Sequence, residues 1–218
     1  MKKTIQRHRT TKFFIEAAVS IIKEEGFDSI TIRKVANKAV YNSATLYNYF
    51  DNLDHLKSLA ALTFISDYTN ALPTYIKNAT NAYEINSLVW ECFYLYSYRS
   101  PKIFFSIFGK YSDKKFNSYI KEYYELYPER LISIPNSING MLVKENIYDR
   151  SMFLLQKCSD ENFFSENDLE TIDEFLFFIY RGIMGKLLTL DSFNPTEKEF
   201  VNQAMLYTNR IFDSFKLS

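Results

Sequence analysis

Four hydrogen-bonding residues, Ser43, Thr45, Tyr47 and Asn48, lie close together in the stretch YNSATLYNYF at positions 41–50. Their hydroxyl and amide groups can donate hydrogen bonds to phosphate oxygens, and an asparagine can pair with the edge of an adenine. No charged residue interrupts the stretch. A short helix that carried these side chains along one edge would be suited to contact nucleic acid.

The apolar residues of the same stretch predict the helix that would position this edge. Leu46, Tyr49 and Phe50 follow the i, i+3, i+4 spacing of a buried face, and Asn42 is a good N-cap for a helix over 43–50. The segment TIRKVANK at 31–38 predicts a second short helix. Residues 10–25 predict a first one, which has Thr10 or Thr11 as its N-cap and which Gly26 ends. Two short helices joined by a tight turn, after a buried first helix, form a helix-turn-helix.

Several features in register make this region resemble the N-terminal domain of the TetR family of transcriptional repressors. They are Ala17-Ala18, Glu25-Gly26-Phe27, Thr31 with Val35-Ala36, and Thr45-Leu46-Tyr47 before Tyr49-Phe50. The resemblance covers residues 10 to about 60, and beyond them only the number of helices is compatible. It implies a DNA-binding head at 1–50 and a helical ligand-binding and dimerisation body at 51–218.

The resemblance also implies which residues meet DNA. These are Thr31, Arg33, Lys34, Asn42, Ser43, Ala44, Thr45, Tyr47, Asn48 and Lys57.

Three positions depart from the family pattern. Val40 stands where the family usually has a turn glycine, and Tyr41 replaces a smaller valine that plugs the core. Leu53 replaces a lysine that anchors the fourth helix to a phosphate, a role that Lys57 could partly take over. These departures keep a second class open, a TetR-like protein that has lost DNA binding and acts as a protein-binding coactivator.

The distribution of charge agrees with a head that meets a polyanion. Nine basic and four acidic residues lie among the first 40, which gives this part a charge of +5, whereas the whole chain has a net charge of zero. Two cysteines without a CxxC pair and two isolated histidines predict neither a disulfide framework nor a metal site. No nucleophile elbow, phosphate loop or pair of catalytic carboxylates indicates an enzyme, and no cofactor is expected.

The rest of the chain predicts helices throughout. Only 5 glycines and 5 prolines occur in 218 residues, and no period-2 alternation of useful length is present. Helices are expected from 51 or 52 to about 68, over 84–98, from 101, over 114–127, weakly over 138–158, and over 166–190 and 196–216. The apolar start is interrupted by Glu16 and the stretch 175–190 is short, so neither a leader nor a membrane span is expected. An all-α cytoplasmic protein follows.

Two functional regions of the body are predicted by analogy with the family. The last two long helices would form a homodimer through Phe175, Phe178, Ile179, Gly182, Ile183, Leu187, Phe200, Ala204, Ile211 and Phe212. An effector cavity would be lined by Trp90, Phe93, Tyr94, Phe104, Phe108, Tyr123, Tyr124 and Tyr127. For any single aromatic residue a core position is the commoner role. As a group they favour an apolar or flat effector, and a cationic one is an option because ring faces attract cations.

The expected function is therefore that of a ligand-responsive transcriptional repressor that releases a palindromic operator when a small molecule binds the body. The partners would be double-stranded DNA, an apolar or aromatic effector and a second copy of the chain.

Overall fold

The computed structural model describes residues 2–109, 114–131, 134–144 and 146–217, and nearly all of its ordered elements are α-helices. The helices are α1 (Lys2–Glu25), α2 (Ile32–Ala39), α3 (Ser43–Leu46), α4 (Leu53–Ile76), α5 (Ala82–Arg99), α6 (Pro101–Phe108), α7 (Lys114–Leu126), α8 (Asn136–Leu142), α9 (Ile147–Asp160), α10 (Leu169–Thr189) and α11 (Glu197–Phe215). Single 3₁₀ turns lie at Phe27–Ser29, Pro128–Leu131 and Glu166–Asp168. The described ranges contain no strand, and the all-α prediction is confirmed.

Helices α1 to α3 form the head, and capping residues fix where each helix begins and ends. Gly26, at a φ of 90°, lets the chain leave α1. The side chains of Thr31, Asn42 and Asn52 each accept a hydrogen bond from a backbone N–H two or three residues ahead, at the starts of α2, α3 and α4. The predicted cap at Asn42 is confirmed, and of the two candidates for the start of α4, Asp51 and Asn52, the cap is Asn52.

The structure corrects two predicted helix boundaries in the head. Helix α1 begins at residue 2 rather than 10, and the Thr10 hydroxyl donates to the Gln6 carbonyl at 3.1 Å instead of capping a helix. Helix α3 ends at Leu46 rather than at residue 50. The following residues continue as a turn in which the Phe50 N–H donates to the Leu46 carbonyl at 3.0 Å.

Helix α4 joins the head to the body, which consists of α4 to α11. The sequence predicts an end near residue 68, but the helix continues to Ile76 and includes Pro73. Burial of Leu56, Leu59 and Leu72 along its length outweighs the hydrogen bond that a proline removes from a helix. We call residues 43–50, α3 and the turn after it, the recognition segment. One unbroken helix therefore runs from the recognition segment into the centre of the molecule.

Helix α5 lies at the centre of the body and packs against α4, α6, α9 and α11. The predicted helical stretch 138–158 is two helices, α8 and α9, separated by a short break. Helices α10 and α11 pack along each other, and α11 opens with a reciprocal capping box between Thr196 and Glu199. An ion pair at 2.7 Å between Arg99 and Glu197 ties the end of α5 to the start of α11.

The buried apolar side chains form one continuous cluster that extends from Phe14 in α1 to Phe212 in α11. Head and body thus share a core, and a displacement in one is felt by the other. Within the described residues, no helix combines the length and the apolar character that crossing a membrane requires.

Candidate DNA-binding surface, cavity and pairing face

The turn between α2 and α3 has the helix-ending geometry that favours glycine, although Val40 occupies it. Val40 has φ 58° and ψ 42°, in the left-handed region. The Tyr41 N–H donates to the Ala36 carbonyl at 2.9 Å and the Val40 N–H to the Asn37 carbonyl at 3.1 Å, which together make a Schellman motif. The position that the family resemblance assigns to glycine therefore does adopt a positive φ.

Tyr41 does not plug the core as the family resemblance implies for its position. Its ring is partly exposed and lies edge-on to Phe13 and Phe14, with centroid distances of 6.2 and 5.0 Å. Leu46 and Phe50 are the buried residues that root the recognition segment. A large side chain is accommodated because it leans outward over α1.

The head exposes most of the polar side chains that are predicted to meet DNA. Tyr47 is 61% exposed, and Arg33, Ala44 and Asn48 are also exposed. Ser43 and Thr45 are half-buried.

Two of the predicted contacts also hold the local structure. Thr31 and Asn42 accept backbone hydrogen bonds as N-caps, so the Thr31 hydroxyl proton and the Asn42 amide protons are what they can offer to a phosphate. The caps thereby orient both donors.

Two lysines of α2 are paired with acids of α1. The Lys34 ammonium lies 2.5 Å from a Glu25 carboxylate oxygen, and that of Lys38 lies 2.6 Å from Glu24. The hydrogen bond from Lys38 lowers the pKa of the Glu24 carboxyl below its ordinary value. Both pairs are solvent-exposed and hence weak, so a DNA phosphate could compete for either lysine. Without DNA, the Glu25 carboxylate therefore offsets the positive charge of Lys34, which is one of the predicted DNA contacts.

Arg33 and Lys57 are placed differently from each other. No carboxylate in the described part of the chain lies within ion-pair distance of Arg33, which extends from the exposed side of α2. The Lys57 ammonium points back over the Phe27 ring, 5.8 Å from its centroid, and does not extend beside Leu53. Leu53 is half-buried against the core at the first position of α4.

His55, which the sequence analysis did not single out, connects the head to α7. Its ring is 4% exposed, and its Nδ1 accepts the Asp51 N–H at 3.2 Å. The Nε2 atom lies 2.9 Å from a Glu122 carboxylate oxygen, and the ring stacks on Tyr119 with centroids 4.3 Å apart. Since Nδ1 accepts, Nε2 carries the proton and donates it to Glu122. This chain of contacts links the segment after α3 to the body.

A narrow cavity of about 30 Å³ lies where α4, α5, α6, α8 and α9 meet. Its lining consists of Tyr68, Val89, Trp90, Phe93, Phe108, Met141, Ile147, Arg150, Ser151 and Leu154. This space holds about one or two water molecules, whereas sites for drug-sized ligands measure roughly 300–1,000 Å³. A larger ligand must therefore push the lining helices apart.

Three of the eight predicted ligand-binding aromatics, Trp90, Phe93 and Phe108, line this cavity. Tyr94 and Phe104 lie in the core instead, and the Tyr94 hydroxyl is 3.0 Å from that of Thr208, which holds α5 to α11. Core packing is the reason that these two rings face away from the cavity.

The three predicted tyrosines of α7 and the residue after it also lie away from the cavity. The Arg130 guanidinium stacks over Tyr123 and Tyr127, and the Lys12 ammonium lies 4.4 Å from the centroid of Tyr127. Tyr124 packs edge-on against Tyr123. This cluster joins α1 to α7 at the boundary of head and body, so its aromatic rings meet cations of the chain itself.

An exposed apolar face runs along α10. Phe175 and Phe178 are 42% and 47% exposed, and Ile179 and Leu187 are half-buried. A Cβ atom placed on Gly182 would meet nothing within 4 Å, so this part of the helix surface is open.

The second long helix adds to the same kind of surface. Leu206 and Tyr207 on α11 are exposed apolar residues that the sequence analysis missed, and Ile211 is half-buried. We call the exposed apolar residues of α10 and α11 (Phe175, Phe178, Leu206 and Tyr207) the pairing face.

Four residues that are predicted for the dimer interface lie in the core of the chain itself. Phe200, Ala204 and Phe212 have no exposed surface, and Ile183 is 4% exposed. They therefore have almost no area to give to a second copy, and we correct this part of the prediction. The predicted residues Phe200, Ala204 and Phe212 thus mark the face of α11 that packs against the core of the chain.

Comparison with known proteins agrees with this geometry. Residues 14–56 match the family described as "Bacterial regulatory proteins, tetR family". The HTH-type transcriptional regulator YdeS of Bacillus subtilis (strain 168) is 34% identical over 65 residues, which are 29% of this chain. The aligned stretch spans 31% of that relative's length.

Solved structures extend the likeness to the whole chain. A TetR transcription regulator from Haloarcula marismortui ATCC 43049 gives a TM-score of 0.56 at 16% identity, covering 95% of this chain and 98% of that one. The fatty acid degradation regulator FadR from Bacillus halodurans gives 0.55 at 16% identity, covering 93% and 94%. At such identities the likeness concerns the fold.

The matched family residues include the turn at Val40, the polar edge and the start of α4. The family that these residues match is one of bacterial regulatory proteins. The N-terminal domain is thus similar to that of the bacterial regulatory proteins of the tetR family, and the fold of the chain is similar to that of a TetR transcription regulator.

Proposed function

We propose that the protein is a homodimeric repressor that binds a palindromic DNA operator and releases it when a small molecule enters the body. The observation that carries this proposal is the course of α4. This helix begins beside the recognition segment at Leu53 and presents Tyr68 to the cavity farther along the same unbroken helix. The two positions are about 22 Å apart along the axis, at ~1.5 Å per residue.

The exposed edge of the head supports DNA binding. Tyr47 and Asn48 offer donors in the turn after α3, and Arg33 offers a cation on α2 that pairs with no described carboxylate. The pairing of Lys34 with Glu25 orients that ammonium at the same side until a phosphate displaces the acid. Hydroxyl, amide and guanidinium donors around a narrow helix suit the major groove and its flanking phosphates.

The pairing face supports a dimer. Exposed phenylalanines on one helix and an exposed leucine and tyrosine on the next are unusual on a monomer surface and typical of interface cores. A two-fold dimer presents two recognition segments about one turn of DNA apart, ~34–36 Å, which is what a palindrome requires. Domain limits near residue 50 suit this scheme, because α4 then belongs to the body that moves.

The coupling step follows from the size of the cavity. A ligand larger than one or two waters separates α4 from α9, and the displaced α4 carries the head with it. The contact of His55 with Glu122 is a second connection by which α7 constrains the first turn of α4. Because ligand favours the displaced form and operator the undisplaced one, each weakens binding of the other by the same factor.

The proposal is tested by genomic footprinting of the purified protein followed by titration of the selected site with Tyr47→Phe and Arg33→Ala variants. The first variant removes one hydroxyl and keeps the ring, so affinity is expected to fall by ~0.5–1.5 kcal/mol per subunit. The second should weaken binding further and flatten its salt dependence. Tyr96→Phe, a tyrosine of the body, is the matched control and should bind as the unmodified protein does.

A second candidate function, that of a protein-binding coactivator without specific DNA binding, is favoured by one observation. Lys34 and Lys38 are paired with acids of the head, and Lys57 points back over Phe27. Two of the three cations predicted to contact DNA, Lys34 and Lys57, are therefore engaged within the chain. Purified protein with no salt-sensitive preference for any genomic fragment over bulk DNA would reject the repressor and favour this alternative.

A further inference from the structure

The cavity contains a buried cation, Arg150, that pairs with no acid of the described residues. Arg150 is 6% exposed and lines the cavity, and no carboxylate in the described ranges lies within ion-pair distance of it. Its Nε donates to the Lys144 carbonyl at 3.1 Å and its Nη2 to the Leu142 carbonyl at 2.9 Å. A guanidinium has five N–H donors, so three stay available after these two bonds.

The two carbonyls explain how the cation is held. They lie at and just beyond the end of α8, where a helix leaves carbonyl groups without intrahelical partners. The guanidinium also lies over the Phe108 ring, 5.3 Å from its centroid. These neutral contacts orient Arg150, and no carboxylate of the described ranges compensates its charge, which is costly in an apolar environment.

Two residues that carry hydroxyl groups, Ser151 and Tyr68, line the same cavity. Ser151 is 4% exposed, and its Oγ has no partner at hydrogen-bond geometry. Tyr68 is buried, and burial raises the pKa of its hydroxyl so that it stays protonated and able to donate. The remaining lining is apolar: Val89, Trp90, Phe93, Phe108, Met141, Ile147 and Leu154. The cavity therefore combines a small set of donors with a wall of hydrocarbon.

Asp173, the buried acid among the described residues, does not form an ion pair with Arg150. Asp173 on α10 lies close to the Ser151 hydroxyl without reaching hydrogen-bond geometry, and it does not line the cavity. Burial raises the pKa of its carboxyl to about 7, which shows an environment that disfavours its negative charge. A cationic effector would meet Arg150 inside the cavity, so the cationic option that the aromatic residues left open is disfavoured.

We propose that the effector is an apolar molecule with a carboxylate head, and that Arg150, Tyr68 and Ser151 bind this head. The inference rests on the proposed function, since it names the chemistry of the ligand that the cavity takes. A carboxylate occupies little more room than the waters that fit the present cavity, and accepts from a guanidinium and two hydroxyls at once. The apolar part of the ligand then displaces the aromatic lining and separates α4 from α9.

The test compares matched probes that differ in the head group. Decanoate, decanol and decyltrimethylammonium share one hydrocarbon chain, and phenylbutyrate with phenylbutanol forms a second, aromatic pair. Hexanoate and myristate vary the length. Binding is measured by calorimetric titration and by the shift of the thermal unfolding midpoint, with the full chain as it is and with the variants Arg150→Gln, Ser151→Ala and Tyr68→Phe.

The acids are expected to bind about tenfold or more tightly than the alcohols, since hydrogen bonds to a charged group exceed neutral ones. Arg150→Gln should bring the ratio of acid to alcohol affinity to about one, because it removes the charge that distinguishes the two head groups. Lys157→Gln, which removes a charge from the same helix outside the cavity, should keep the ratio. If circular dichroism shows that Arg150→Gln is unfolded, the test rests on Ser151→Ala and Tyr68→Phe. Each of these is expected to lower the ratio of acid to alcohol affinity ~3-fold.

Three results overturn the inference: tighter binding of the ammonium probe, an acid preference that survives all the cavity variants, or no binding by any of the acids. The outcome for the repressor function is separate. An acid preference in a protein that binds no DNA site supports the ligand assignment and rejects the repressor. A protein that binds an operator but shows no acid preference supports the repressor and rejects the ligand assignment.

Discussion

Replacing Val40 by glycine is expected to stabilise the protein, because a β-branched residue here holds a left-handed conformation. The backbone has φ 58° and ψ 42°, and both Schellman hydrogen bonds come from backbone groups that the substitution leaves in place. The side chain is 89% exposed, so its removal sacrifices almost no buried surface. The substitution therefore changes the backbone strain at this position with almost no change in side-chain packing.

The expected magnitude is the difference of two opposing terms. Left-handed geometry costs an ordinary L-residue ~1–2 kcal/mol, and a β-branched residue is at the unfavourable end. Glycine adds ~0.5–1 kcal/mol of conformational entropy to the unfolded chain. The net gain is therefore about 1 kcal/mol, which corresponds to a rise of ~2–4 °C in the midpoint of thermal unfolding for a chain of this size.

Thermal and urea unfolding of three variants measure this effect. Val40→Ala keeps the Cβ but loses the branch, so its stability should fall between those of valine and glycine. Val143→Gly is the matched control, since Val143 is also an exposed valine at a helix end but has φ −83°. It should lose ~0.5–1 kcal/mol. Equal destabilisation by Val40→Gly and Val143→Gly would refute the strain argument.

Three further substitutions probe the head, the pairing face and the core. Leu53→Lys is expected to tighten DNA binding and to raise the slope of log affinity against log salt by about 0.9 per added phosphate contact, with Leu53→Gln as the uncharged control; an unchanged slope would mean that α4 stays away from the backbone. Phe178→Glu should convert the dimer to monomer in analytical ultracentrifugation, whereas Phe13→Glu, at a similarly exposed residue of the head, should leave the mass unchanged. Asp173→Asn should stabilise the protein more at pH 8 than at pH 5. The folded-state pKa of Asp173 is about 7 against an ordinary 3.8, so stability falls as pH rises between these values, by up to ~1.4 kcal/mol per pH unit, and the amide removes that loss. A gain from Asp173→Asn that is independent of pH would exclude a protonated Asp173.

The head could be predicted from the sequence because its signals are local. Caps at Asn42 and Asn52, the glycine that ends α1 and the buried pair Leu46 and Phe50 each act within one or two turns of chain. The errors there are of the same local kind. Threonine favours cap positions, which is why Thr10 is predicted as one, but in α1 its hydroxyl donates back to a carbonyl within the helix.

The cavity could be predicted only in part because its lining comes from five helices. Trp90, Phe93 and Phe108 stand out as aromatics, but the same signal selects Tyr94, whose position is fixed by Thr208 on a distant helix. Arg150 and Ser151 lie in a stretch whose helical signal is weak, and nothing in the local sequence marks an arginine as buried. Only the packing of α8 against α9 shows that it is.

The pairing face shows the same limit. A stripe of apolar residues on α11 identifies an amphipathic helix. Such a helix can pack its apolar residues against the core of its own chain or against a second copy of the chain. Phe200 and Phe212 face the core, whereas Leu206 and Tyr207 face outward. Which side of a stripe is buried within the chain depends on the rotation of the helix about its axis, and that rotation is set by tertiary contacts.

The size of the cavity determines how an effector can act. A ligand that binds two forms of a protein equally shifts neither, and reversing a 1:99 population requires a ~10⁴-fold difference in affinity. A cavity of about 30 Å³ supplies such a difference by exclusion, because the undisplaced form has no room for the apolar part of a ligand. The work of separating α4 from α9 is then subtracted from the binding free energy. Tight binding must therefore come from contacts that the undisplaced form already holds in place, and among the lining residues the oriented donors of Arg150 are of that kind.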